Sequence, residues 1–420
     1  MLLRLFYAFI LLANCVVNHV AADEIKADFS GFATLAASYS DDPDMGFGSN
    51  YINKNRAGFS LSRESILGGQ VNLSLNRNWD SVAQVVLQDH ANEEFDGFLE
   101  LAFLRYRPSR DWAIRAGRLN SDLYLLSEYP YVGYAYLWAR PPHEFYSFAS
   151  AGGHFDGLDV EYTQSVFDGF LRLKLAAGQT TTKLTSAGDK FYIDFDNLIT
   201  FSASYSLEAW TLRFSASRTD IGGYKLDSMA QLIAAFRAVP TSLWPQAQSL
   251  AQSYDTEGKT LSYAAFGVTY DYDNWLIQSE VGISESQWLV SPSNLNAYVS
   301  VGYRFGDVTV YSGVSISENR NDVTNIPVPQ FPPGIPEQIT LPIQQLAVIA
   351  QDAVELPVVH QHSINIGAKW HFSDTVVIKA QIDHFDIQPY GGGLWSRSKP
   401  EDVKIGHRVN VFSLSTSLVF

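Results

Sequence analysis

The sequence predicts an all-β protein: a closed transmembrane antiparallel β-barrel of about 16 strands, with a long third loop folded into the lumen. Three observations lead there. Alternating apolar and polar residues recur along the whole chain, and short and long connections take turns between the runs. The composition is 17% charged and 14% aromatic, with a mean hydropathy of −0.05, and no internal apolar run is long enough for a spanning helix. Without spanning helices, only a closed sheet satisfies every backbone group in lipid. The competing class is a soluble, secreted all-β protein. The third observation is a stretch of about 35 residues that fits neither strand nor surface loop.

The elements follow in order. Residues 1–22 read as a signal peptide: Arg4 precedes an apolar run from Leu5 to Val17, and Val20-Ala21-Ala22 supplies small cleavage-site residues. Cys15, the only cysteine, falls in the part removed, which suits transit through an oxidising compartment. Residues 23–420 read as a single barrel domain. In the first strand Phe29, Ala33, Leu35 and Ala37 share one face, while Asp28, Ser30, Thr34 and Ser38 share the other. Further strands are expected at 71–75, 81–90, 98–107, 112–118, 155–164, 169–177, 197–206, 210–218, 259–272, 275–286, 294–305, 308–317, 362–372, 375–385 and 404–420. Turns such as Asp273-Asn274 and Gly306-Asp307 join alternate pairs. Between residues 219 and 258, Met229, Leu232, Ile233 and Phe236 have helical spacing before Pro240. Residues 318–361 hold seven of the 17 prolines, which excludes an interior strand, and Leu346, Ile349 and Ala350 suggest a brief helix there. His360-Gln361-His362 reads as a solvated pair of histidines in that polar loop.

The long stretch between the fifth and sixth strands carries Tyr124, Tyr129, Tyr131, Tyr134, Tyr136, Trp138, Phe145, Tyr146 and Phe148. It also carries Asp122, Glu128 and Glu144, an Arg140-Pro141-Pro142 corner, and Gly152-Gly153 at its exit. Disordered segments are poor in aromatics, so this one is expected to fold into a cavity whose wall is the rest of the chain. The aromatics either pack the loop in place or form a track for a solute.

Alternation also identifies charged wall positions. Leu171, Leu173 and Leu175 face lipid, so Arg172 and Lys174 face inward. Leu212, Phe214 and Ala216 turn Arg213 inward, and Ile114 and Ala116 turn Arg115 inward. A charge at the lipid midplane costs roughly 2–4 kcal/mol, which favours the inward choice.

With these features the chain resembles the Gram-negative outer-membrane porins. The signal peptide, the alternating strands, the place of the third loop, Arg115-Ala116-Gly117-Arg118 leading into it, and a terminal strand ending Leu418-Val419-Phe420 carry the resemblance. Porins have Pro-Glu-Phe-Gly-Gly in that loop; this chain has His143-Glu144-Phe145 and, later, Gly152-Gly153. The resemblance implies a place in the cell outer membrane among its lipids, a homotrimer, and passive diffusion of small hydrophilic solutes and ions through a water-filled channel. It implies that Phe420 is an assembly signal read by the barrel-assembly machinery. It further implies a constriction formed by Asp122, Glu128 and Glu144 on the loop and Arg115, Arg172, Lys174 and Arg213 on the wall. An inward arginine serves equally to pin a loop to its wall. Two other functions fit the same features: a substrate-specific channel with an aromatic loop track, and a non-conducting structural or adhesion barrel. No enzymatic role, cofactor or metal site is expected, and the acidic net charge of −15 argues against nucleic acid.

Overall fold

The computed structural model describes residues 25–48, 57–89, 95–149, 153–186, 189–397 and 404–420. The expected signal peptide lies outside the described residues. So does His90, the expected end of the third strand.

Among the described residues the barrel has sixteen strands. They are β1 (Lys26–Ser40), β2 (Ile66–Ser74), β3 (Trp79–Leu87), β4 (Leu99–Tyr106), β5 (Trp112–Asn120), β6 (His154–Val166), β7 (Gly169–Ser186) and β8 (Asp189–Ser206). The second half comprises β9 (Trp210–Lys225), β10 (Thr260–Tyr272), β11 (Trp275–Ser286), β12 (Asn294–Phe305), β13 (Val308–Asn319), β14 (Val359–Ser373), β15 (Val376–Gly392) and β16 (His407–Val419). Each strand pairs antiparallel with the next. β16 closes the sheet on β1 in the register Phe32↔Val419 through Ser40↔Val411.

The period-2 pattern becomes two faces. Leu35, Leu158, Leu175, Phe214, Val314, Ile366 and Leu414 point outward and are exposed, while their neighbours point into the lumen. A belt of such residues meets lipid, where closure leaves no unpaired edge. Cross-strand aromatic pairs sit beside the short turns: Trp79/Tyr106 and Trp210/Tyr270 at 4.6 Å, Trp112/Tyr162 and Trp275/Tyr303 at 4.8 Å between ring centroids. Amphipathic rings of this kind favour the membrane–water boundary. The short turns take left-handed backbone at Asp273 (φ 54°) and Gly306 (φ 61°), as tight hairpins require.

Closure also depends on Phe420. Its backbone exchanges two hydrogen bonds with Gly31, at 2.8 and 3.0 Å, and its ring covers that glycine. A Cβ at position 31 would lie 2.4 Å from the ring. Gly31→Val is therefore expected to lower the yield of folded barrel, read as the heat-modifiable fraction on a gel. Equal yield would show that the ring can move aside at no cost.

Two expectations need correction. Strands seven and eight, expected at 169–177 and 197–206, run as 18-residue strands to Ser186 and from Asp189. The register shifts between Phe195 and Leu198, which breaks the alternation on which the shorter reading relied. His360 and His362 lie on β14 rather than in a loop.

At the long-loop end, α2 (Asp227–Ala238) and α3 (Ala247–Tyr254) lie between β9 and β10, following α1 (His143–Ala149) of the third loop. The brief helix expected near Leu346 is the 19-residue α4, Glu337–Glu355. Met229, Leu232 and Phe236 of α2, Trp244, Tyr254 of α3 and Leu346 and Ala350 of α4 form one buried cluster with Trp288 and Val290. Tyr254 Oη donates to the Ala350 carbonyl at 2.6 Å, tying the helices to one another. Met45 and Phe47, beyond β1, pack against Phe385, Trp395 and Val409 at the other side of this mouth.

Candidate functional site

The third loop, from Ser121 to Gly153, joins β5 to β6 and is fastened to inward-facing side chains of strands around the ring. Its contacts reach β1 and the strands from β7 to β16, so it lies within the barrel. Four attachments hold it.

The first is at Asp122. Its carboxylate accepts from Ser202 Oγ at 2.8 Å and meets Lys174 Nζ at 3.1 Å and Arg172 at 3.5 Å, and it is paired with Arg213 as well. Arg213 also donates to the Asp122 carbonyl at 3.1 Å. Glu128 pairs with Arg172. The structure thus brings five of the candidate residues, Asp122, Glu128, Arg172, Lys174 and Arg213, into one contact cluster.

The second is aromatic. Tyr124, Leu126, Tyr136, Trp138 and Phe145 are buried against Ala265, Tyr298 and Tyr311 of the wall. Polar edges are satisfied within it: Trp138 Nε1 donates to Ser300 Oγ at 2.9 Å, Tyr298 Oη to Glu280 at 2.9 Å, and the Leu125 amide to Glu280 at 2.8 Å. Tyr146 also donates to Glu280. These buried rings pack the loop against the wall.

The third attachment uses cations of β14 and β15. Lys379 Nζ donates to the carbonyls of Tyr136 and Trp138, both at 2.7 Å, and to that of Gly133. An ammonium has three donors, and each meets one backbone acceptor of the loop. Lys369 donates to the Tyr134 carbonyl at 2.8 Å. Gln381 accepts from the Ala139 amide at 3.0 Å and donates to the Arg140 carbonyl at 3.1 Å. Arg140 itself is buried, with Glu64 at 3.1 Å, Ser413 Oγ at 3.3 Å, Asp383 in contact, and its guanidinium 4.5 Å from the Phe47 ring centre.

The fourth is Glu144 on α1. It accepts from Ser315 Oγ at 2.6 Å, Gln361 Nε2 at 2.9 Å and Ser363 Oγ at 3.1 Å. It is fully buried against β13 and β14 and is not part of the Asp122 cluster. Arg115, also apart from that cluster, pairs with Asp159 of β6, its Nε 2.9 Å from Oδ1.

The sequence reading missed Glu280, Lys369, Lys379, Gln381 and Asp383. The same alternation that turned Arg172 and Lys174 inward could have found most of them, since Lys379, Gln381 and Asp383 stand between Ile378, Ala380, Ile382 and His384. Arg140 and Glu64 carry no periodic signal.

The loop is not centred. Inner-face positions from β11 to β16, such as Glu280, Ser300, Ser317, Lys379 and Ser415, are buried beneath it. Inner-face positions on the opposite wall, including Gln70, Asn72, Gln84, Arg105, Arg115 and Glu161, remain partly accessible. The inner face of this wall is mixed, because Val82, Phe103, Leu119, Phe155 and Ala176 form a buried apolar cluster beside those polar residues. On the short-turn side lies a polar chamber of about 580 Å³, lined in part by Glu128, Arg172, Arg213, Asp271, Arg304 and Lys369.

A closed sixteen-stranded antiparallel barrel is the fold that this chain shares with outer-membrane porins. Solved structures of that kind are similar to this chain over nearly its whole length. OmpF of Salmonella typhi, solved with daunomycin, has 12% identity and a TM-score of 0.54 over 94% of this chain and 98% of that one. An anion-selective porin from Comamonas acidovorans has 9% identity and a TM-score of 0.52 over 94% and 100%. The trimer form of OmpT, an outer membrane protein of Vibrio cholerae, has 11% identity and a TM-score of 0.51 over 95% and 100%. No protein-family model matches the chain, and no curated protein matches it.

Proposed function

We propose that this protein is an outer-membrane channel for passive diffusion of small hydrophilic solutes and ions, sorted by charge along a lane between the third loop and β2–β7. The single observation that carries this reading is the asymmetric seat of the loop. Packed on the β11–β16 side, it leaves partly accessible, charged inner-face residues on the other. Arg105, Arg115 and Arg172 line that wall, with Asp80, Asp159 and Glu161 interleaved. In a narrow lumen their fields are screened less than on an open surface.

Reversal potentials of single channels in a salt gradient test the reading. A unit charge about 8 Å from a passing ion, at an effective dielectric constant of about 40, contributes roughly 1 kcal/mol, or about fivefold in permeability ratio. Arg172→Gln with Lys174→Gln, which removes two such charges, is expected to shift the preference toward cations by more than that factor, and Glu128→Gln toward anions. Conduction with an unchanged preference in all of these variants would remove the lane from the mechanism. Absence of any conductance would favour a structural or adhesion barrel.

The assembly is proposed to be a homotrimer. The outward faces of β1–β4 carry Ala33, Ala37, Gly69, Ala83 and Ala102 between larger residues such as Phe29, Leu35 and Leu104. Small side chains let a second barrel approach closely.

A further inference from the structure

On the long-loop side of the third loop the lumen holds a second chamber, of about 520 Å³. Its wall is largely apolar. Leu184, Phe195 and Leu198 occupy inner positions of β7 and β8, Met229 and Leu232 of α2 face them, and Trp288 stands at the side. Asp352 is the one carboxylate among the described lining residues, and no Lys or Arg joins it. Such a volume falls in the range of small-molecule pockets. An apolar wall does not help water or ions, because it favours dewetting.

The second observation is Asn294, the first residue of β12, which lines the chamber and is 1% exposed. Its amide Nδ2 donates to the Pro292 carbonyl at 3.2 Å, but its Oδ1 has no hydrogen-bond partner among the described residues. A buried acceptor without a donor is costly, and a bound N–H or O–H group would satisfy it.

We propose that this chamber binds a small, uncharged, mostly apolar molecule bearing one hydrogen-bond donor, which it gives to Asn294 Oδ1. As a statement about what the protein admits, this rests on the channel reading above; the binding itself does not. The apolar walls supply affinity and the unpaired Asn294 Oδ1 supplies orientation, the usual division of labour in such pockets.

N-phenyl-1-naphthylamine is a suitable probe: it is uncharged, has one N–H and brightens in apolar surroundings. The full protein in phosphatidylcholine vesicles, with protein-free vesicles subtracted, is expected to show a saturable signal of one site per chain. Asn294→Leu should weaken binding about tenfold, or about 1.4 kcal/mol. Leu232→Asp, on the lid helix and outside the barrel wall, should abolish the saturable part. The N-methylated probe, which lacks the donor, should bind the unaltered protein as weakly as the parent probe binds the Asn294→Leu variant. That comparison needs no variant to fold, and heat-modifiable gel mobility checks those that are used. Purely unsaturable partition, or equal affinity for the two probes, would overturn the inference. Conductance recorded on the same preparations separates the two readings. A conducting channel without saturable binding sinks this inference alone, and saturable binding without conductance sinks the diffusion reading alone.

Discussion

Arg140→Ala is expected to weaken the docking of the third loop by about 3–5 kcal/mol and to raise single-channel conductance. Arg140 bridges Glu64, which precedes β2, and Asp383 of β15. Both acids are nearly buried, so the alanine variant leaves two carboxylates out of water without their cation. The loss far exceeds that of an exposed ion pair, which is worth about 0–1 kcal/mol. The barrel wall keeps its own backbone pairing, so the effect should fall on the loop. Loosening from β15 and β16 widens the lumen on the side that the loop now fills. Arg140→Lys should restore only part of the docking, because one ammonium cannot span the fork that a guanidinium offers to two carboxylates. The midpoint of heat-modifiable gel mobility and the conductance in planar bilayers together check this. No change in either would mean that the remaining attachments, Lys379 above all, hold the loop unaided.

Asp122→Asn is expected to cost about 3 kcal/mol and to shift ion preference toward anions. The amide keeps the size and one acceptor, so Ser202 retains its partner. The charge is what disappears. Arg172 still has Glu128, and Lys174 still has Glu161 at 3.4 Å. Arg213 keeps one hydrogen bond, to the Asp122 backbone carbonyl at 3.1 Å. It would stay buried with its charge balanced only in part, by the Glu280 carboxylate, next to the polar chamber at the short-turn end. A reversal potential in a salt gradient reads the electrostatic part, and the thermal midpoint reads the structural part. The two need not move together: a changed midpoint with an unchanged preference would confine Asp122 to fastening the loop.

The inward Arg172, Lys174, Arg213 and Arg115 were legible because side-chain direction in a strand alternates with every residue. The leucines and isoleucines between them decided their face without any knowledge of partners. The position of the long loop between the fifth and sixth strands was legible for the same reason. Its attachments were not. Asp122 can be seen as acidic in the sequence, but not as the partner of Lys174 and Arg213 on neighbouring strands. Glu144 reads like Asp122 there, yet it is used at β13 and β14, apart from that cluster.

The sequence by itself determined most of the strands, their two faces and the tight turns, because each depends on residues within a few positions of one another. Only the tertiary structure decided where the third loop sits and what remains open beside it. Arg140 meets Asp383, and Lys379 meets the carbonyls of Gly133, Tyr136 and Trp138, across more than half the chain. Those contacts exist only once β16 has closed on β1 and brought β15 to face the loop. The apolar chamber follows the same logic. Phe195 and Leu198 look like a lapse in alternation until the register shift in β8 and the helices of a distant loop place them around a shared volume. Local periodicity reports which way a side chain points, and closure of the barrel decides what it meets there.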